Sequence, residues 1–137
     1  MKQKGILTIL AVIISGYVFG QEQPPQKTPV EIAAEQANRL QRDLDLDYYQ
    51  VFKVDSTLQT DLAGVMAEFE KMKKGGLQNP ESYREVQKRW QDKTEESFFK
   101  IMTPEQFERY LKIIGTPKKE RKKKLEQLEK KKESTSK

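Results

Sequence analysis

Carboxylates are the side chains here whose types and spacing could do chemistry. Asp43, Asp45 and Asp47 alternate along the chain, and Glu95 and Glu96 stand side by side. Clustered carboxylates can hold a hard divalent cation, and a close pair of acids can divide the roles of general acid and general base. The aspartates, however, lack the loop with a central glycine and a final glutamate that calcium modules use, so no calcium site is expected. The glutamate pair fits a wet helix face better than a cleft that could raise one of its pKa values. The chain has no histidine and no cysteine. That removes the usual nucleophile–base pairs, the imidazole and thiolate metal ligands, disulfides, and a lipid anchor on an N-terminal cysteine. There is no glycine-rich phosphate loop and no serine elbow. The chain is therefore expected not to be an enzyme and to carry no cofactor and no metal.

The residues that do recur in a pattern are helix-capping ones. In Met102-Thr103-Pro104-Glu105-Gln106 the Thr103 hydroxyl can accept from a free N–H of the first turn, Pro104 needs no N–H, and Gln106 can reach back to the N–H of Thr103. Leu46-Asp47-Tyr48-Tyr49-Gln50 can do the same through Asp47 and Gln50, with a carboxylate that suits the positive helix end. Each copy opens a helix and follows another one.

The helices themselves are legible from apolar spacing. Lys2 and Lys4, an uncharged run from Gly5 to Phe19 and the polar stretch after it form a signal peptide over residues 1–20, with cleavage expected after Gly20. The run is shorter than the ~20 residues needed to span a bilayer, so export to the periplasm or beyond is expected rather than anchoring. Residues 21–28 read as a Pro- and Gln-rich flexible linker. Thr28 and Glu31 cap a first helix with Ile32, Ala33, Ala37, Leu40 and Leu44 on one face, ending near Asp45. From Tyr48 to about Lys74 a helical period runs without proline. A helix of that extent would be about 40 Å long, more than one small core can wrap. Gly75 and Gly76 stop it, Asn79 and Pro80 start a third helix to Ile101, and Thr103 opens a fourth that Gly115 closes. No stretch alternates with period two over strand length, so the fold is expected to be all-α, with residues 29–115 as the helical domain.

Charge divides the chain. Residues 21–116 carry 14 Lys and Arg against 17 Asp and Glu, whereas 117–137 carry 10 against 4. The basic segment 116–137 can extend as another helix from a Thr116-Pro117 start, but with only Leu125 and Leu128 to bury it is expected to be solvated or frayed, and disordered from Ser134 on. Basic residues and aromatics are not interleaved, which argues against nucleic acid as a partner. Most aromatics lie on helical stripes and read as core. Phe98 and Phe99 cannot both face one core, so one of them, and one of Tyr48 and Tyr49, is expected to be exposed or to meet a second subunit.

With a signal peptide, all-helical body and two such junctions, the chain resembles the Spy/CpxP family of small periplasmic proteins, which carry a Leu-Thr-x-x-Gln motif. One copy here has Met102 for Leu; the other, Leu46 to Gln50, has Asp47 for Thr. The likeness covers roughly residues 29–115. It implies a four-helix elongated protomer paired into a thin, curved, antiparallel cradle-like homodimer, acting as an ATP-independent chaperone or an envelope-stress adaptor. It also implies that Leu46, Asp47, Gln50, Met102, Thr103 and Gln106 are structural junction residues. Relatives that bind metal do so through histidine, which this chain lacks. The leading expectation is a chaperone-like protein that binds unfolded or stressed envelope proteins. Apolar residues such as Phe52, Met66, Met72 or Phe99 would hold client side chains, and Lys and Arg would draw in acidic segments. The alternatives are a stress-response regulator that binds one specific sensor or protease, and a surface-associated structural protein whose basic tail holds an anionic membrane.

Overall fold

The computed structural model describes residues 25–136. The expected signal peptide and its cleavage after Gly20, together with the start of the linker, lie outside the described residues. Five helices follow in order: α1 (Pro29–Leu44), α2 (Tyr48–Lys74), α3 (Pro80–Ile101), α4 (Pro104–Ile113) and α5 (Lys118–Thr135). There is no strand among the described residues, and the all-α expectation holds.

Each of the first four helices starts where the sequence provides a cap. Thr28, Asp47 and Thr103 form full capping boxes with Glu31, Gln50 and Gln106, and the Asn79 side chain accepts from the N–H of Glu81. The backbone N–H and hydroxyl of Thr28 hold the Glu31 carboxyl below its usual pKa range. Stops are equally local. Gly76 and Gly115 take positive φ angles of 73° and 83°, which cost glycine little. Asp45 closes α1 in the same left-handed region, at φ 53°.

α1 and α2 form a helical hairpin. Ala33, Ala37, Leu40 and Leu44 of α1 join Val54 and Leu58 of α2 in one cluster, and the small alanines let the helices approach closely. α3 then runs back along α2: Asp61 meets Thr94, Glu68 meets Trp90, and Phe69 meets Tyr83. Gly64 makes that approach possible. A Cβ there would sit 2.2 Å from the Trp90 ring, so the bare helix backbone is the surface on which the indole rests. Trp90 is fixed by donating its Nε1–H to Glu68 (2.7 Å), and the Lys93 ammonium sits 4.4 Å above the ring.

α4 crosses the end of α3 and completes the core with Phe107, Tyr110 and Leu111. Phe98 is 1% exposed and meets Tyr110 edge-on with centroids 5.1 Å apart; Phe99 meets Phe107 edge-on at 5.4 Å. One of the two was expected to be exposed or to meet a second subunit; Phe98 is buried, while Phe99 is half-buried and packs one side of its ring on the core. α4 lies across the helix end, so its aromatics receive neighbours from two faces of α3. Burial, helped by the Glu95 charge, pushes the Tyr110 phenol well above its usual pKa range.

The segment after Thr116 is a fifth helix that packs on the rest of the chain, so the described residues form five helices rather than four. Its half-buried residues Arg121, Lys124, Leu125 and Leu128 fall at spacings of three and four and so share one stripe. Two leucines alone could not hold it, but the stripe is half basic and lies along an acidic part of α3. Lys124 donates to Glu95 and Lys131 to Glu96, both at 2.6 Å. Ser134 and Thr135, expected to be disordered, belong to the helix end and donate their hydroxyls to the carbonyl of Lys131.

Candidate functional site

The two capping motifs come together in space. The side-chain amide of Gln50, at the start of α2, donates to the carbonyl of Ile101 at the end of α3 (3.1 Å). The side-chain amide of Gln106, at the start of α4, donates to the carbonyls of Leu44 and Asp45 at the end of α1 (3.3 Å each). Each glutamine thus caps its own helix and also binds the end of the helix that precedes the other motif, an arrangement with an internal two-fold character. The amides also bond to each other, Gln50 Nε2 to Gln106 Oε1 at 2.7 Å and Gln106 Nε2 to Gln50 Oε1 at 3.3 Å. Their oxygens accept the N–H groups of Asp47 and Thr103. Helix ends leave unpaired N–H and C=O groups that cost free energy when buried, and two glutamines resolve four ends at once.

Leu46 and Met102, each one residue before its cap, are both buried against this junction. All six motif residues are therefore in structural positions. The amides are engaged with each other and with the helix ends, so the chemistry of the junction is that of a clasp. Arg109 completes it: the guanidinium donates to the Leu44 carbonyl at 2.8 Å and lies 3.6 Å from Asp45. Sequence reasoning missed this residue, although its place one turn after Gln106 was a usable signal. The three alternating aspartates have separate duties. Asp47 caps α2, Asp45 turns the chain, and Asp43 faces solvent. Among the described residues no cluster of acids is arranged to hold a metal ion.

The residues expected to touch a partner do not form one site. Phe52 is 66% exposed, and Met66 is also exposed. They stand fourteen residues apart on α2, close to four turns, so they share one flank about 20 Å long. Tyr48, four residues before Phe52 and 89% exposed, extends the same flank, and Tyr49 beside it is exposed too. Both tyrosines, not one, face outward, because Leu46, Val51 and Val54 take the inward positions of that turn. Met72 is half-buried near the hairpin tip. Phe99 is half-buried against the core, with the Phe107 ring on one side, so it is not a free contact on α2's flank.

A second arrangement has more chemistry than the sequence suggested. Glu95 is 3% exposed and accepts from Gln91 (3.0 Å) and Lys124 (2.6 Å). A buried carboxylate of this kind demands a cation. The Lys131 ammonium holds the Glu96 carboxyl below its usual pKa range, against the opposing effect of partial burial. On sequence Glu95 and Glu96 looked like a wet face, because nothing in the local pattern reveals that α5 returns over them.

No protein-family model, curated protein or solved structure matches the chain. The likeness to the Spy/CpxP proteins therefore rests on the two motifs, the helical body and the expected signal peptide. No helix among the described residues is long and apolar enough to cross a membrane.

Proposed function

We propose that the protein is an exported, ATP-independent chaperone-like binding protein of the Spy/CpxP type. It holds apolar segments of unfolded or stressed envelope proteins, and it works as an antiparallel homodimer. The observation that carries this reading is the flank of α2 bearing Tyr48, Phe52 and Met66. Large apolar side chains are exposed there on a helix too long to be wrapped by its own core, while the clasp at the motif junction keeps that helix rigid. Shallow, many-sited contact of this kind gives weak binding without a pocket, and a client leaves when it has buried its own apolar residues. Tyrosine and methionine suit the task, the one amphipathic and the other adaptable in shape.

Aggregation of several unrelated reduced or heated clients tests the reading. Equimolar protein delays their light scattering, and Phe52→Ser with Met66→Ser abolishes the delay while the helix content and unfolding midpoint stay the same. Undiminished protection by that variant overturns the reading, as does a failure of the unaltered protein to protect any client. Solution mass and scattering separately check the dimer.

A second reading is favoured by the exposed lysines of α5, Lys118, Lys119, Lys122, Lys123, Lys130 and Lys132. Near an anionic membrane each contributes about 1 kcal/mol. Sedimentation with anionic vesicles at low salt tests it: exchange of these lysines for glutamine releases the protein if the surface attachment is real.

A further inference from the structure

The contact between α3 and α5 has the form of a receptor with a ligand already in place. On α3, Asp92, Glu95, Glu96 and Phe99 follow at spacings of three and four and make an acidic stripe ending in an aromatic ring. On α5, Lys124 and Lys131 bond to Glu95 and Glu96, Leu128 lines the clefts beside them, and Leu125 packs on the core toward α4, near Glu108. The charges match, but the volumes do not. A cleft of about 410 Å³ remains between the helices beside Glu95 and Leu128. Another of about 250 Å³ remains beside Phe99 and Leu128. No residue of α5 is fully buried. Leucine is too short to fill this seam, although its lysines are well placed.

Resting on the client-binding reading above, we propose that the acidic face of α3 is a binding groove for basic amphipathic helical segments of client proteins, and that α5 is its built-in competitor. The groove specifies its occupant closely. Glu95 lies under the covering helix, so whatever replaces α5 must bring a cation to it or leave a buried carboxylate unpaired. One position further along, an apolar side chain packs on the core toward α4; three beyond that a second enters the seam, and a second cation meets Glu96. The pattern is basic–apolar–x–x–apolar–x–x–basic, as in Lys124-Leu125-Glu126-Gln127-Leu128-Glu129-Lys130-Lys131. A client with phenylalanine or methionine at the apolar positions meets the same charges and fills the clefts better than α5. The earlier expectation that the protein's own cations draw in acidic segments is reversed at this face. α5 keeps the groove covered when no client is present, so Phe99 and the buried carboxylate are not left open to chance contacts.

The test uses the whole purified protein and labelled synthetic peptides followed by fluorescence anisotropy. One peptide has the sequence of residues 117–136, a second carries phenylalanine at both leucine positions, and a third has glutamate at every lysine and arginine. The phenylalanine peptide is expected to bind more tightly than the first, and the acidic one not at all. In the Leu125→Ser, Leu128→Ser protein, whose α5 covers the groove less of the time, both basic peptides are expected to bind about tenfold more tightly, because the internal competitor is weakened. Lys124→Ala with Lys131→Ala is the second route to the same release. Glu96→Gln is expected to reduce binding. Equal affinity of the altered and unaltered α5 proteins, or binding indifferent to Glu96→Gln, overturns the proposal. The Phe52→Ser, Met66→Ser protein separates the two readings. Undiminished protection by that variant with intact peptide binding overturns the α2-flank reading and leaves the groove; lost protection by that variant, with no peptide binding by the unaltered protein, overturns the groove and leaves the chaperone reading.

Discussion

The two ends of the α2–α3 pair are built on opposite principles. At the motif end, four helix termini meet, their loose carbonyls and N–H groups are taken up by Gln50, Gln106 and Arg109, and Phe98, Phe107, Leu44 and Leu111 fill the space between. At the hairpin tip, α2 and α3 have mainly each other. Phe69 packs on Tyr83 with centroids 5.3 Å apart, Glu68 pairs with Arg89, and Leu77 is exposed. α1 has sixteen residues against twenty-seven in α2, so it covers only part of the longer helix. Stability is thus concentrated where the helices begin and end. The accessible apolar side chains lie where the core thins or on the flank that it never covered.

The comparison breaks first if the motif end is not the source of stability. Phe107→Ala is expected to cost about 3–5 kcal/mol in urea unfolding, enough to unfold much of the population, because the ring is fully enclosed. A loss below 1 kcal/mol would place the core elsewhere. Gln106→Leu keeps the volume but strips the clasp, leaving buried carbonyls unpaired; the expected cost is about 3 kcal/mol, with Gln50→Leu less costly because Gln50 is only half-buried.

At the other end the effects are smaller and local. Gly64→Ala pushes a methyl into the Trp90 ring. The expected cost is about 1–3 kcal/mol, together with a change in tryptophan emission as the indole leaves Glu68. Unchanged emission would mean that the tip already moves freely.

The smallest expected effect concerns pH. The folded-state pKa of Glu96 is depressed by its hydrogen bond from Lys131, so its stabilising contribution is complete above the ordinary carboxylate pKa and is lost as pH falls through the lowered one. Hydrogen exchange in α5 is therefore expected to quicken relative to α2 on acidification below the usual carboxylate range, once corrected for intrinsic rates. Glu96→Gln should remove this part of the pH response.

Much of the fold was open to reading in the chain because its signals are local. Thr28, Asp47, Asn79 and Thr103 each act within one turn of their own position, and Gly76 and Gly115 turn the chain by their own φ angles. The candidate site was less legible. Phe52 and Met66 were named from their exposure to a sparse core, but the sequence placed Phe99 among them, when its surroundings are decided by the direction in which α4 crosses α3.

Helix existence, boundaries and caps were set by the sequence itself, since backbone hydrogen bonds and capping reach only three or four residues. Tertiary structure alone decided which ends meet. Gln50 and Gln106 are fifty-six residues apart and bond at 2.7 Å, and the buried Glu95 finds its cation in Lys124, twenty-nine residues later. A charge on a helix face has no intrinsic reason to be wet or buried; the element that packs on it decides, and here that element is a basic helix with hardly any apolar surface of its own.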